Sequence, residues 1–331
     1  MRLHAIGFGS LNLDEFWEVS PEFLRKYNLC GGQEYVKNVA WFTSVYPELA
    51  SQGELKAEDP GGSAANMIAA LRKLGFNTGF FGAAGKADAA SLRLDDLGDE
   101  TTLRVLKSDL PSGRCLSLIN RDDPGKDRTL VILPNANDLA GSGGFDPDYF
   151  CNCRWVHLTS FVSLSPLACQ IDLVQKLPHE VRVSFDPGAV YSSMGFARME
   201  PILRRADLLF VSEEEVQSII ARTTIEGSVA ALQQVGVGTV VLKRGPRGIS
   251  AFQGAKVVHQ PAVSPGRVLD RTGAGDVAAA GFIAGLLQVL TLEESLEFAA
   301  IAASRSIEGY GRSTYPDKAL LGNFLSARAR S

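Results

Sequence analysis

The chain has 331 residues, with 33 Lys and Arg against 37 Asp and Glu, a net charge of −4 and 45% hydrophobic residues. That length holds one large α/β domain or two smaller ones, and the mild negative charge excludes a general nucleic-acid binder, which needs a basic face. The most apolar stretch, Val277 to Leu287, is about half the roughly 20 residues of a membrane span, so no membrane partner is expected. No long apolar run or small-residue cleavage site follows Met1-Arg2-Leu3-His4, so no signal peptide is expected and the location reads as cytoplasmic. Cys30, Cys115, Cys151, Cys153 and Cys169 are odd in number and contain no Cys-x-x-Cys pair, and the four histidines are scattered. Reduced thiols and no structural zinc follow.

In chain order, Leu3–Gly7 reads as a short apolar strand, and residues 11–60 as a long, aromatic, irregular segment. Ala64–Leu74 sets Ile68, Leu71 and Leu74 on one helix face, with Gly75 as its stop. Gly79–Gly82 is an apolar run, and Cys115–Asn120 and Thr129–Leu133 alternate as a hairpin around Asp122-Asp123-Pro124-Gly125. Trp155–Leu158, Val181–Phe185, Leu208–Val211 and Thr239–Lys243 are further strands, with helical stretches between them. Ser212 to Glu215 and Thr291 to Glu294 fit the capping box, a hydroxyl followed three residues on by Glu. A helix is expected over Val277–Leu290.

This alternation predicts an α/β fold, a mainly parallel sheet with helices on both faces. Ligands then sit at the carboxyl ends of the strands, where Asp186 and Ser212 are expected. There is no internal repeat, low-complexity tract or linker, so residues 1–331 read as a single domain. Lid segments are expected around 11–60 and 112–134.

Two nucleotide motifs fail. The dinucleotide fingerprint Gly-x-Gly-x-x-Gly begins at Gly7-Phe8-Gly9 but meets Asn12, and the Walker A pattern at Gly85-Lys86 meets Phe80 and Ala87 where Gly and Ser or Thr belong. The run from Asp270 to Asp276 is different, because it leads directly into the apolar helix. Gly273, Ala274 and Gly275 let backbone amides approach a phosphate, and the helix start adds partial positive charge. Asp276 there could serve the helix dipole alone. That does not account for three small residues ahead of it or a second carboxylate at Asp270.

Asp270-Arg271-Thr272-Gly273-Ala274-Gly275-Asp276 resembles the D-T-x-G-A-G-D motif of the PfkB, ribokinase-like carbohydrate kinases and of the adenosine-kinase branch. Further matches fall in order along the chain: Asn12-x-Asp14, Gly61-Gly62-Ser63-Ala64-Ala65-Asn66, Gly82-x-x-Gly85, Asn135-Ala136-Asn137, Asp186-Pro187, Ser212-x-x-Glu215 and Lys243 to Gly248. The resemblance implies a three-layer αβα fold with a small β lid and an ATP-dependent phosphotransferase acting on a sugar. Asp276 would be the general base, with Gly273, Ala274 and Gly275 forming an anion hole. Asp14, Gly61, Gly62 and Asn66 would hold the substrate, and Lys243, Gly245 and Gly248 the ATP side. Glu215 would organise Mg²⁺ through water, although Ser212 replaces the usual Asn. Asp270 with the Thr272 backbone resembles part of a monovalent-cation (K⁺) site, completed by the loop Gly309–Ser313. Substrate choice stays open between a sugar and a nucleoside, since both present a primary hydroxyl. The lid aromatics Phe16, Trp17, Tyr35, Trp41 and Phe42 fit base stacking or lid core equally. A non-catalytic sugar- or nucleotide-binding regulator on the same fold is the alternative of another class. The chain alone allows a monomer or a homodimer.

Overall fold

The strands of two sheets account for the architecture of this computed structural model, which describes residues 2–123, 128–142 and 145–328. In chain order they are β1 (Leu3–Phe8), β2 (Asn12–Val19), β3 (Glu34–Val36), β4 (Glu54–Gly61), β5 (Thr78–Gly85), β6 (Leu103–Ser108) and β7 (Gly113–Asn120). There follow β8 (Arg128–Leu133), β9 (Cys153–Thr159), β10 (Arg182–Asp186), β11 (Leu208–Ser212), β12 (Thr239–Lys243), β13 (Ile249–Gln253) and β14 (Lys256–Gln260). The larger sheet has nine strands in the order β14-β13-β12-β11-β10-β9-β1-β5-β6, and only the β12–β13–β14 pairings are antiparallel.

Its apolar strands need cover on both faces. One core gathers the helices Ser63–Lys73, Ala274–Leu287 and Leu292–Ser306 through Ile68, Phe282 and Phe298. The other lies under Leu164–Lys176, Phe196–Arg205 and Ile225–Val235 through Leu173, Ile202 and Leu232. The result is the three-layer, mainly parallel sandwich that the alternation of elements predicts. Among the described residues no helix is long and apolar enough to cross a membrane, and none of the five cysteines is in a disulfide.

The smaller sheet has five strands in the order β3-β8-β7-β2-β4. Residues 11–60 are therefore more ordered than their composition suggests. They include the helix Val39–Gln52, capped by the Asn38 side chain on Trp41 N–H, with Pro47 inside it. Proline in a helix interior weakens the local signal, and only Val45 and Leu49 of this helix are buried. They pack with Trp17, Phe23, Leu116 and Val131 as a separate lid core, against which Tyr35, Trp41 and Phe42 lie. The hairpin strands are longer than predicted, beginning at Gly113 and Arg128. Pro124 and Gly125 of its expected turn lie outside the described residues.

The topology also explains why the Gly7-Phe8-Gly9 pattern carries no dinucleotide site. β1 is followed directly by lid strand β2 and not by a helix. Asn137 ties this passage down, accepting from Leu11 N–H at 2.9 Å and donating to Asn12 Oδ1 at 2.8 Å.

Candidate active site

Three neighbouring strands, β10, β11 and β12, end in Asp186, Ser212 and Lys243, with Ser212 and Lys243 in register. Lys243 Nζ donates to Asp186 Oδ2 at 2.6 Å and lies 3.9 Å from Glu215 Oε2. Burial pulls the Lys243 ammonium down, but Asp186 and Glu215 outweigh it and hold its pKa above the ordinary value. Glu215 itself is raised by burial, with Lys243 opposing and Asp186 adding to it. The capping box is formed: Glu215 Oε2 accepts from Ser212 N–H at 2.7 Å while Ser212 Oγ accepts from Glu215 N–H at 3.1 Å.

The helix Ala274–Leu287 aims its N-terminus at this same edge, three residues earlier than its apolar run begins. Gly273 is its cap at φ 75°, a left-handed backbone that a Cβ would disfavour by on the order of 1 kcal/mol. Asp276 sits in the first turn and accepts from Asn66 Nδ2 at 3.0 Å. Burial pushes its carboxyl up to about 7; Asp186 adds to this, while the Asn66 hydrogen bond and Lys243 oppose it. An acid at the head of a helix would ordinarily be stabilised in its charged form. Here it is held ready to take a proton near neutral pH.

On one side of Asp276 is a cavity of about 460 Å³, bordered by Lys243, Gly245, Gly248, Ala274 and Gly275 at its polar end. Its remaining wall is mostly apolar, from Val263, Pro265, Ala300 and Ala303 among others, with Arg244 and Arg271 also on it. On the other side, under the lid, a closed space of about 10 Å³ lies between Asp14, Phe16, Asp59, Asn66, Asp270 and Tyr315. Gly61 has no side chain because a Cβ there would lie 1.9 Å from Asp14 Oδ2, and Gly62 caps the helix that carries Asn66. Asp14 Oδ1 is buried without a hydrogen-bond partner. Burial pushes Asp14 up to about 7; Arg312 opposes, and Asp270, Asp276 and Asp59 add to the rise.

The structure thus brings Gly273, Ala274, Gly275, Asp276, Asn66, Asp14 and Gly61 together, with Lys243, Gly245 and Gly248 on the opposite side of the Gly273–Gly275 turn. Several participants had not been singled out. Asp59 pairs with Arg93 at 2.6 Å and accepts from Arg312 N–H at 2.5 Å, while Asp270 is paired with Arg128 of lid strand β8. Asp59 faces Asp14 across the β2–β4 register, a pairing that alternation along β4 hints at. Arg128 is 142 residues from Asp270 and carries no local signal. Of the lid aromatics, Phe16 faces the closed pocket, and Trp17 is buried in the lid core.

A parallel sheet with a raised carboxyl at a helix start, an apolar cavity on one side and a lidded polar pocket on the other defines a small-molecule kinase. The chain belongs to the pfkB family of carbohydrate kinases, matched over residues 33–318. It is 30% identical to an uncharacterised sugar kinase of Archaeoglobus fulgidus, across 73% of this chain and 95% of that one. It is 27% identical to a ribokinase of Arabidopsis thaliana, across 76% of this chain and 68% of the relative. Among solved structures it resembles a probable sugar kinase of Rhizobium etli (TM-score 0.82, 17% identity, 99% of each chain). It also resembles an adenosine kinase of Sinorhizobium meliloti (TM-score 0.80, 18% identity, all of each chain). The fold is ribokinase-like, and the chain is a phosphotransferase.

Proposed function

We propose that the protein transfers the γ-phosphoryl group of ATP to a primary hydroxyl of a neutral sugar, with Asp276 as the general base. The observation that carries this is Asp276 itself, raised to about 7, next in the chain to Gly275 of the apolar cavity and hydrogen-bonded to Asn66 of the lidded pocket. The adenine and ribose of ATP occupy the 460 Å³ cavity against Val263, Pro265 and Ala300. The phosphates then reach the helix start, where the Gly273–Gly275 amides stabilise charge on the transferred group. Asp14 Oδ1, buried and unpartnered, accepts a second substrate hydroxyl. Asn66 orients Asp276 through its 3.0 Å hydrogen bond.

Among the described residues Asp14 and Asp276 form no ion pair, and the carboxyls that crowd Asp14 (Asp59, Asp270 and Asp276) disfavour sugar acids and sugar phosphates as acceptors. A nucleoside, which presents the same kind of primary hydroxyl, is the second acceptor class. Magnesium fits the nucleotide edge, because it keeps most of its waters and takes one or two carboxylates with substrate phosphates. Asp186 and Glu215 would hold it there, and it would supply charge neutralisation of the phosphates. A cytoplasmic location and a monomeric state complete the reading. The lid has an apolar core of its own, in which Val45 and Leu49 of helix Val39–Gln52 pack with Trp17.

ADP release from Mg·ATP against a panel of neutral sugars, sugar acids, sugar phosphates and nucleosides tests the proposal. Turnover with a neutral sugar supports it. Turnover restricted to anionic acceptors contradicts the substrate class, and turnover restricted to nucleosides selects the second reading.

A further inference from the structure

Asp270 lies two residues before the anion-hole turn and is only 2% exposed. A buried carboxylate is costly unless a positive charge and hydrogen bonds compensate it. Asp270 Oδ1 accepts from Thr272 N–H at 2.8 Å, which shapes the turn into Gly273. It also takes an ion pair from Arg128 Nη1, and the same nitrogen reaches Thr272 Oγ1. Arg128 is the only basic side chain paired with Asp270 among the described residues. It comes from the first residue of lid strand β8 and lies over the Phe16 ring, its guanidinium carbon 5.9 Å from the centroid.

A loop able to complete an alkali-cation site would offer free carbonyls around Asp270, and six of the eight from Ser306 to Ser313 already accept a hydrogen bond. The carbonyl of Ile307 accepts from both Leu269 and Asp270 N–H, at 2.9 and 3.3 Å. Those of Ser306, Glu308 and Tyr310 accept from Thr314 Oγ1, Arg267 Nε and Ser313 Oγ, at 2.8, 3.0 and 2.6 Å. The Arg312 and Ser313 carbonyls lie 3.4 and 3.3 Å from Lys73 Nζ. Asp270 Oδ2 is buried without a hydrogen-bond partner, but the guanidinium on Oδ1 already supplies the positive charge that a K⁺ ion would bring, and with most of the loop carbonyls engaged the residues present fit a K⁺ site poorly.

We propose that Arg128 is the built-in counter-ion of Asp270, so that lid closure, and not a bound alkali cation, orders the anion-hole turn. Arg128 acts through Asp270 and Thr272 and is a positioning residue. This rests on the reading of Gly273–Gly275 as the anion hole. Because the guanidinium travels with the lid, the turn is fully charge-compensated only when the lid is down. Phosphoryl transfer is thereby tied to a covered substrate.

The test compares the native protein, Arg128→Ala and Arg128→Lys in potassium chloride and in tetramethylammonium chloride at equal ionic strength, reading ADP formation and melting temperature. The native rate and melting temperature are expected to be the same in both salts. Arg128→Ala is expected to lose about 10–100-fold in kcat, the scale of a lost supporting contact, with Arg128→Lys between the two. Added guanidinium, more than potassium, should restore part of the Arg128→Ala rate and raise its melting temperature. A native rate that climbs several-fold with potassium would overturn the proposal. So would an Arg128→Ala protein that matches native, or one that responds to no cation. If no acceptor turned over with any variant, the kinase reading would fail, and the salt dependence of melting would still decide the role of Arg128.

Discussion

Replacing Asp276 with Asn should make the protein more stable at pH 8 while abolishing its turnover. Asn is nearly isosteric, and its carbonyl can still accept from Asn66 Nδ2, the contact now at 3.0 Å. What disappears is a buried negative charge facing Asp186. The carboxyl rises from the ordinary 3.8 to about 7 on folding. A raised folded pKa contributes stability that is complete below about 3.8 and is lost as pH climbs through about 7. Linkage sets a ceiling of about 4 kcal/mol on that loss. Relaxation around the site leaves an expected gain for the variant of about 1–2 kcal/mol at pH 8, or roughly 1–3 °C in melting temperature. Little difference should remain near pH 4. Thermal melting of the ligand-free proteins from pH 4 to 8 reads this directly. A variant that melts below native at pH 8, or by the same margin at every pH, would refute the burial and repulsion assigned to Asp276.

In the native enzyme, kcat/KM should fall on the acid side with an apparent pKa near 7, set by Asp276 and Asp14 together, and not near 4. Lys243→Met should move that acid limb upward, because it strips the ammonium from Asp186 and leaves that charge to face Asp276. A pH–rate profile of the variant with its limb unmoved would dismiss the coupling. In gel filtration the protein should elute as one 35.5 kDa chain, since Val45, Leu49 and Trp17 give the lid an apolar core of its own. An elution volume of twice that mass would show that the lid pairs with a second copy.

The turn at the head of helix Ala274–Leu287 was legible because it is local: three small residues, an acid and an apolar helix follow one another from Gly273 on. The parallel sheet was legible for the same reason, its buried strands reading as short apolar runs between helical stretches. Helix Val39–Gln52 was not, because Pro47 interrupts it and only Val45 and Leu49 face the lid core. Strand β6 sits at the sheet edge with half-buried alternation, and the β13–β14 hairpin adds an antiparallel end to a parallel sheet. The pocket partners were the hardest to see. Asp59, Arg312 and Arg128 meet Asp14 and Asp270 only because the lid folds back over the sheet, and no spacing in the chain records a contact between residues 128 and 270. The Asn12–Asn137 pair shows the converse, a motif match whose observed bonds hold the passage from β1 to β2 together.

The central claim is that Asp276 takes the proton of an acceptor hydroxyl as it attacks the γ-phosphate of ATP. The most direct measurement follows phosphomonoester formation by ³¹P NMR, with Mg·ATP and the best neutral sugar from the panel. Native protein and Asp276→Asn are compared, with ATP binding to each measured by calorimetry. The account predicts a sugar phosphate from the native protein and a rate lower by about 10²–10⁴-fold in the variant, with ATP affinity kept. Equal phosphate transfer by both proteins would contradict it, as would binding of ATP and sugar by the native protein with no transfer at all.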